Sequence, residues 1–381
     1  MKLVALMHDG FREAKDRKIS TVMFILSGVF AILCGGFGYE PKPAVEVVED
    51  ALRPRFQRHF GAVEEGTWEL EPAGERAVIA RWSEEKTRAE KVVDAQLNLR
   101  LSRGITSERR ERAGTGPELL VRVGDPIDTA GGVRVYFILR RWSFDIGDGE
   151  IPVSAKDFVA GAQLLLANAI AGWIGVIIAI IITSGFVPSM IQAGSIHVLL
   201  SKPVRRPLLL LGKYLGGVAF VLLHASIFVG LCWLAFSVRT GWWDFRFLIL
   251  APTIAATFAI VYAASVLFAV VFESPMVSTL LAIAFWGFCW LMSVVKEMVG
   301  TVKWLPEAAR EAIVAIYWAL PKTGELDDFA VKVIQGSGLT LDQSVEAALK
   351  GREWGLMLGS TAASTAAILA IACLIFWRKD Y

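Results

Sequence analysis

The sequence predicts a polytopic α-helical membrane protein of six transmembrane helices, with an extracytoplasmic α+β domain inserted between spans 1 and 2. Three observations predict it. The 381 residues are 55% hydrophobic with a mean hydropathy of +0.52, too apolar for a soluble globule of this length. Six apolar runs approach the ~20 residues that a helix needs to cross a ~30 Å hydrocarbon core. The charge is also unevenly placed: Gly38 to Asp157 holds 19 Lys/Arg and 22 Asp/Glu, more than half of the chain's charged residues, so that window belongs in water. The net charge of +2 averages two unlike populations and gives no sign of a nucleic-acid partner.

Residues 1–37 form a leader and the first span, Ser20–Phe37. The leader, "HDGFREAKDRKIS", reads as a short amphipathic helix at the membrane interface. It mixes acids with bases, and Leu33 stands where a lipoprotein-type site before Cys34 wants a small residue, so the span reads as retained rather than cleaved. Residues 38–157 follow as the outer domain. There "AVEVVEDALRPRFQRHF" has helical spacing, and "TWELEPAGERAVIARW" reads as two strands about a Pro-Ala-Gly turn. "ELLVRVGDP" and "GVRVYFILRRWSFDI" alternate as strands do.

Residues 158–295 carry spans 2 to 5, in the runs Phe158–Thr183, Leu208–Val238, Phe247–Phe272 and Pro275–Val295. Of these runs only Leu208–Val238 holds a charge, Lys213, near enough to its end to snorkel. Residues 296–353 form an outer segment in which "LPEAAREAIVAIYWAL" suits a helix on the membrane surface, and residues 354–381 form span 6, Trp354–Trp377, and a short tail. Basic residues near the span ends favour a cytoplasmic N-terminus, and with six spans a cytoplasmic C-terminus, in the cytoplasmic (inner) membrane.

The chemistry of an enzyme is missing. There is no P-loop: Gly212-Lys213 is followed by Tyr214, and Pro207 stands where the first glycine would be. Nucleophile-elbow and zincin motifs are absent too. The four cysteines, Cys34, Cys232, Cys289 and Cys373, all lie in apolar runs, and no histidine sits at ligand spacing from them, so neither a disulfide framework nor a zinc site is expected. No catalytic, cofactor-binding or metal-ligating residue is assigned. Polar residues within spans include Gln163, Asn168, His224, Thr257, Ser360 and Thr361. Interhelical hydrogen bonding is the common use of such residues; Gln163, Asn168 and Thr257 are the candidates for a substrate route, and His224 reads as a packing residue. Gly212-x-x-x-Gly216 and Gly355-x-x-x-Gly359 are small-residue stripes that let helices approach, within the chain or between two copies.

One stretch stands out, "GSIHVLLSKPVRRPLLLLGKY" over 194–214. Lys202, Arg205 and Arg206 would each cost roughly 2.5–3.5 kcal/mol at the bilayer centre, and Pro203 and Pro207 break an interior helix. The chain must leave the membrane here. Pro188 is expected to end span 2, "SMIQAGSIHVLL" to form a short amphipathic helix, and "SKPVRRP" to turn the chain into span 3.

This stretch resembles the ABC-2-type permeases, the membrane subunits of ATP-binding-cassette transporters. That family typically carries between its second and third spans a Gly-Ser/Thr step, an apolar helix ending Leu-Leu, a Ser-Lys-Pro or Ser-Thr-Pro, a basic residue and a Leu-rich run into Gly-Lys. The matching residues are Gly194-Ser195, Leu199-Leu200, Ser201-Lys202-Pro203, Arg205 and Leu211-Gly212-Lys213. "FREAKDRKIS" and "IFWRKDY" are similar to the family's first and last cytoplasmic segments. The resemblance covers roughly 1–37 and 158–381 and departs at "VPSMIQAG", where many members have acids.

The resemblance implies a permease, an exporter by expectation, driven by a separate ATP-binding-cassette ATPase subunit that binds the ATP; no cofactor belongs to this chain. It also implies a second permease chain, alike or different. Within the coupling segment 184–207 and the start of span 3, Gly194, Ser195, Leu199, Lys202, Pro203, Arg205, Arg206, Gly212 and Lys213 are the expected coupling element to that ATPase. The alternative is a signalling or mechanical-transmission subunit that works its outer domain without moving a substrate.

Overall fold

The computed structural model describes residues 19–60, 68–82, 104–111, 117–126, 128–129, 131–137, 142–144, 154–165, 173–191, 206–299, 306–335 and 353–379. The chain divides into two units. One comprises Ile32–Ala162 with Phe236–Trp242, the other Met1–Ala31, Gln163–Ala235 and Trp243–Tyr381. Helix α1 (Ile19–Gly35) runs through the boundary between them.

The first unit is built from β1 (Phe37–Pro41), α2 (Ala44–Phe60), β2 (Trp68–Gly74), β3 (Ala77–Trp82), β4 (Ile105–Glu111), β5 (Pro117–Val123), β6 (Val133–Phe137) and β7 (Trp142–Phe144). Strands β2-β3-β5-β4 form one antiparallel sheet and β1-β6-β7 another. Alternation decides the faces of the larger sheet. Val78, Ala80, Leu119, Val121 and Val123 point to one side and form a core with Val47, Val48 and Leu52 of α2. On the other side Arg81 lies opposite Glu118 in register, donates to it at 2.8 Å and pairs with Glu71 at 2.9 Å. In the smaller sheet Tyr39 of β1 donates its hydroxyl to the carbonyl of Thr240 at 2.9 Å, and Phe37 stacks on Phe236.

Two local expectations change here. The turn between β2 and β3 falls at Glu75-Arg76, not at Pro72-Ala73-Gly74. Strand β2 is an edge strand with a bulge between Pro72 and Gly74. A missing proline N–H is tolerated on such an edge. Phe37, expected to end the first span, instead begins β1.

The second unit is helical. It holds α3 from Gln163 (the helix is Ala155–Leu165), then a π turn at 173–175 leading into α4 (Val176–Thr183), and α5 (Phe186–Ile191). Helix α6 (Arg206–Thr240), a 3-10 turn (Phe245–Ile249), α7 (Leu250–Phe272) and α8 (Pro275–Val299) follow, then α9 (Glu307–Ala319), α10 (Thr323–Gln335) and α11 (Trp354–Arg378). Five segments among the described residues are long and apolar enough to cross a membrane: Trp173–Met190, Arg206–Thr240, Phe245–Phe272, Pro275–Val299 and Trp354–Arg378. Helix α1 is apolar, but its 17 residues rise only about 25 Å.

Residues 166–172 of the span expected at Phe158–Thr183 lie outside the described residues, and the apolar segment Trp173–Met190 overlaps its second half and runs past it. Pro188 does not end it. The chain bends at Ser184-Gly185, and Pro188 is the third residue of α5, in the first helical turn, where an N–H has no intrahelical acceptor to lose. Among the described residues of 296–353 a second helix joins the expected one, since α10 follows α9 after a three-residue link.

Helix α7 is the centre of this unit. Ala251, Ala255, Ala263 and Ala264 are buried along it, and α4, α5, α8, α10 and α11 all pack on it. Helix α6 meets it through a ring stack, Tyr214 on Tyr262 and Phe258 on Tyr262, with the Tyr214 hydroxyl donating to the Ala259 carbonyl at 3.0 Å. The close approach depends on Gly217, where an added Cβ would lie 2.6 Å from a ring carbon of Tyr262. Gly217→Ala is expected to lower stability by about 1–3 kcal/mol through overpacking. Gly230→Ala on the same helix, with open space around it, is expected to cost nothing. Thermal unfolding of the detergent-solubilised variants, followed by tryptophan fluorescence, checks the contrast.

Candidate functional site

Charged side chains gather at the two ends of the helical unit. At one end, Arg206 opens α6 and its guanidinium donates to the Lys379 carbonyl at 3.0 Å. Lys379 follows α11, and its ammonium donates to the Val270 carbonyl at 3.0 Å and pairs with the Glu273 carboxylate. Glu273 closes α7, and Ser274-Pro275 starts α8 directly after it. The starts of α6 and α8 and the ends of α7 and α11 therefore share one end of the bundle.

Glu273 has φ 56 and ψ 14, the left-handed conformation, and among the described residues it is the one non-glycine with positive φ. Glycine is the usual residue at this helix-terminating position, and a side chain there costs roughly 1–2 kcal/mol. The pair it makes with Lys379 is 47% and 32% exposed, and pairs so exposed return about 0–1 kcal/mol. The carboxylate is held in a conformation that its ion pair does not repay in stability.

Lys296 lies near the far end of α8. The rise from Pro275 to Lys296 is about 31 Å, the thickness of a hydrocarbon core. Here the α9–α10 link carries Lys322, which is 2% exposed. Its ammonium donates to Ser360 Oγ at 2.8 Å and lies 4.9 Å from the Tyr317 ring centre and 4.6 Å from that of Trp318. Its backbone N–H donates to Thr361 Oγ1 at 3.2 Å. Tyr317 donates to Glu325, and Lys296 lies 5.0 Å over the same ring. Burial, and then the charge of Lys296, push the Lys322 ammonium below the ordinary lysine range. A buried ammonium is tolerable only with such partners. Ser360 and Thr361 thus anchor the α9–α10 link to the first turns of α11.

Of the residues expected to couple to an ATPase, Gly194, Ser195, Leu199, Lys202, Pro203 and Arg205 lie outside the described residues, as does Asn168 of the expected route. Arg206 sits in the joint above. Gly212 is buried one and a half turns into α6, and Lys213 beside it is 7% exposed, covered by protein rather than reaching water. Gln163 and Thr257 are 3% and 1% exposed. Gln163 Oε1 and Thr257 Oγ1 have no hydrogen-bond partner among the described residues, and no bond links the two. Neither lines the cavity of about 250 Å³ enclosed by α1, α4, α6 and α7, whose wall is apolar and includes Phe30, Ile178, Val221 and Phe228. His224 reaches that wall with both ring nitrogens engaged, Nδ1 on the Phe220 carbonyl at 2.9 Å and Nε2 beside the Ser20 hydroxyl at 3.1 Å.

Sequence reasoning did not find Lys322, Glu273 or Lys379 as partners of anything. The aromatic pair Tyr317-Trp318 shortly before a lysine was the available signal for the first. For the other two no local pattern exists, because their contacts join residues more than 100 positions apart.

The family described as ABC-2 family transporter protein matches residues 12–381. The chain belongs to that family. The match runs through the charged window as well, which the resemblance read from motifs did not reach. No curated protein matches the chain.

Asp327 of α10 offers a pH test of this end. Burial, with the charge of Asp328 added, pushes its carboxyl from 3.8 up to about 7. The folded chain then keeps a proton that the unfolded chain releases, so the contribution to stability is full below about pH 4 and is lost as pH rises through about 7. Asp327→Asn is expected to match the parent at pH 4 and to unfold at a higher temperature at pH 8. Parallel unfolding curves from pH 4 to 8 would contradict the assignment.

Proposed function

From its family we propose that the chain is the membrane-spanning permease subunit of an ABC-2-type transporter, driven by a separate ATP-binding-cassette ATPase that docks at the Arg206 end. The observation that carries the reading is the joint at that end. Arg206 follows the segment 192–205 in sequence and is bonded to the Lys379 carbonyl after α11, and Lys379 is bonded to the end of α7, so a force applied at Arg206 has a path into the bundle. The ATP belongs to the partner. The sign of the charges there, Arg206, Lys213, Arg378 and Lys379, supports a cytoplasmic face. The αβ unit and the α9–α10 pair then stand on the other side of the membrane, and α1 serves as the first of six spans. Export as the direction rests on the family relation. A second permease chain is part of the reading. The Gly355 and Gly359 stripe of α11, with no described atom within 4 Å of an added Cβ, leaves room for close approach of another helix.

One observation favours a second reading, mechanical transmission without a transported substrate. Helix α6 is unbroken over 35 residues, about 52 Å. It begins at Arg206, and its last residues, 236–240, belong to the αβ unit, where Thr240 accepts from Tyr39. A rod of this kind would carry a displacement from the ATPase side to that unit. Uptake of labelled solutes or lipids by proteoliposomes, set against nucleotide-dependent change confined to the αβ unit, separates the two readings.

Arg205→Glu with Arg206→Glu is expected to release the ATPase from the purified complex and to leave the amount of chain in the membrane fraction unchanged. Unaltered association and ATP turnover would sink the coupling assignment.

A further inference from the structure

Lys379 contacts three helix ends at once. Its carbonyl accepts from Arg206 at the start of α6, its ammonium donates to Val270 in the last turn of α7, and the same ammonium pairs with Glu273 in the turn between α7 and α8. Glu273 sits where glycine would be free of strain. Strain that stability does not explain is evidence of a task at that position. The turn has only Glu273 and Ser274 between two spans, so a pull on the Glu273 carboxylate acts on both helices. One of these, α7, is the helix on which α4, α5, α8, α10 and α11 pack.

We propose that Lys379 and Glu273 are positioning residues for coupling: they form the joint through which displacement of the first turn of α6 becomes displacement of the α7–α8 turn and of α11. The inference rests on the reading of the chain as a permease worked by an ATPase. It assigns the step after docking. The coupling segment receives the motion, Arg206 passes it to the Lys379 carbonyl, and the ion pair delivers it to α7 and α8. Without the pair, the α7–α8 turn would lose its charged link to Lys379, and α6 would act on α7 only further along the helix, through Tyr214 and the Ala259 carbonyl.

The test uses the full chain with the ATPase that co-purifies with it, in lipid nanodiscs. Glu273→Gly removes the carboxylate and relieves the strain. A purely structural role predicts a variant as stable as the parent, or more so, with normal ATP turnover. The proposal predicts retained thermal stability, retained ATPase association and an unchanged KM for ATP, with kcat lowered at least about fivefold, the lower range of coupling between sites. Lys379→Met is expected to do the same. The double variant should be no worse than either single one, because both remove the same contact. Exchanging the charges, Glu273→Lys with Lys379→Glu, should restore most of the turnover. Normal kcat in Glu273→Gly, or additive losses in the double variant, overturns the proposal and leaves the permease reading standing. Loss of the ATPase from Glu273→Gly overturns it too, by making the pair part of the docking contact. A parent chain that retains no ATPase overturns the permease reading and the joint together.

Discussion

Everything in the helical unit follows from what hydrocarbon does to polar groups. A backbone in the membrane core must satisfy its own hydrogen bonds, which favours long unbroken helices. A charge at mid-depth costs several kcal/mol, which drives Arg206, Glu273, Lys296, Lys322 and Lys379 to the helix ends. Helix α8 shows both effects in one element, with the Glu273 turn before its first residue and Lys296 about 31 Å along it. The polar clusters are the places where this constraint is lifted, and for that reason they are the places where the chain can form directed contacts between helices.

Between the ends, packing has to come from shape. The buried alanines of α7 let several helices approach one axis, and Gly217 lets α6 lay its backbone against the Tyr262 ring. The stripe that the sequence offered, Gly212-x-x-x-Gly216, is next to the operative glycine rather than identical with it. Periodicity marks the face of a helix but not which of two adjacent glycines meets a ring.

That distinction runs through the whole comparison of sequence with structure. The helices α6, α7, α8 and α11 were legible to within four residues at each end, because each is a run of some twenty apolar residues flanked by charge or proline. The αβ unit's helix and strands β2, β3, β5, β6 and β7 were legible through spacing, as at Val78, Ala80, Leu119 and Val121, whereas β1 and β4 were not read. Turns were less so. Pro72 and Pro188 both look like breaks, yet one sits on a sheet edge and the other in a first helical turn, where the missing N–H costs nothing. The ABC-2 family was legible in a 21-residue motif, and the family match extends it through the αβ unit. Illegible were the contacts that join distant residues: Arg206 with Lys379, Lys379 with Glu273, Lys322 with Ser360. Hydrophobic pattern reports which side of a helix is buried, and carries no information about which charge at one helix end meets which at another.

The two ends differ in what it costs to open them. Lys322 is surrounded by protein, with its ammonium on Ser360 and two aromatic faces, so breaking its contacts would strand a buried charge, at several kcal/mol. The Lys379–Glu273 pair is partly solvated and adds little to stability, so it can follow the movement of the helix ends it joins without stranding a buried charge. Under the proposed coupling, a displacement would enter at the Arg206 end, where the contacts can move together, and would stop at the Lys322 end, where they are buried. Helices held firmly at one end and loosely at the other respond by tilting rather than by translating. Under the proposed coupling the motion would be largest where α6 begins and smallest where α9 and α10 are anchored to α11.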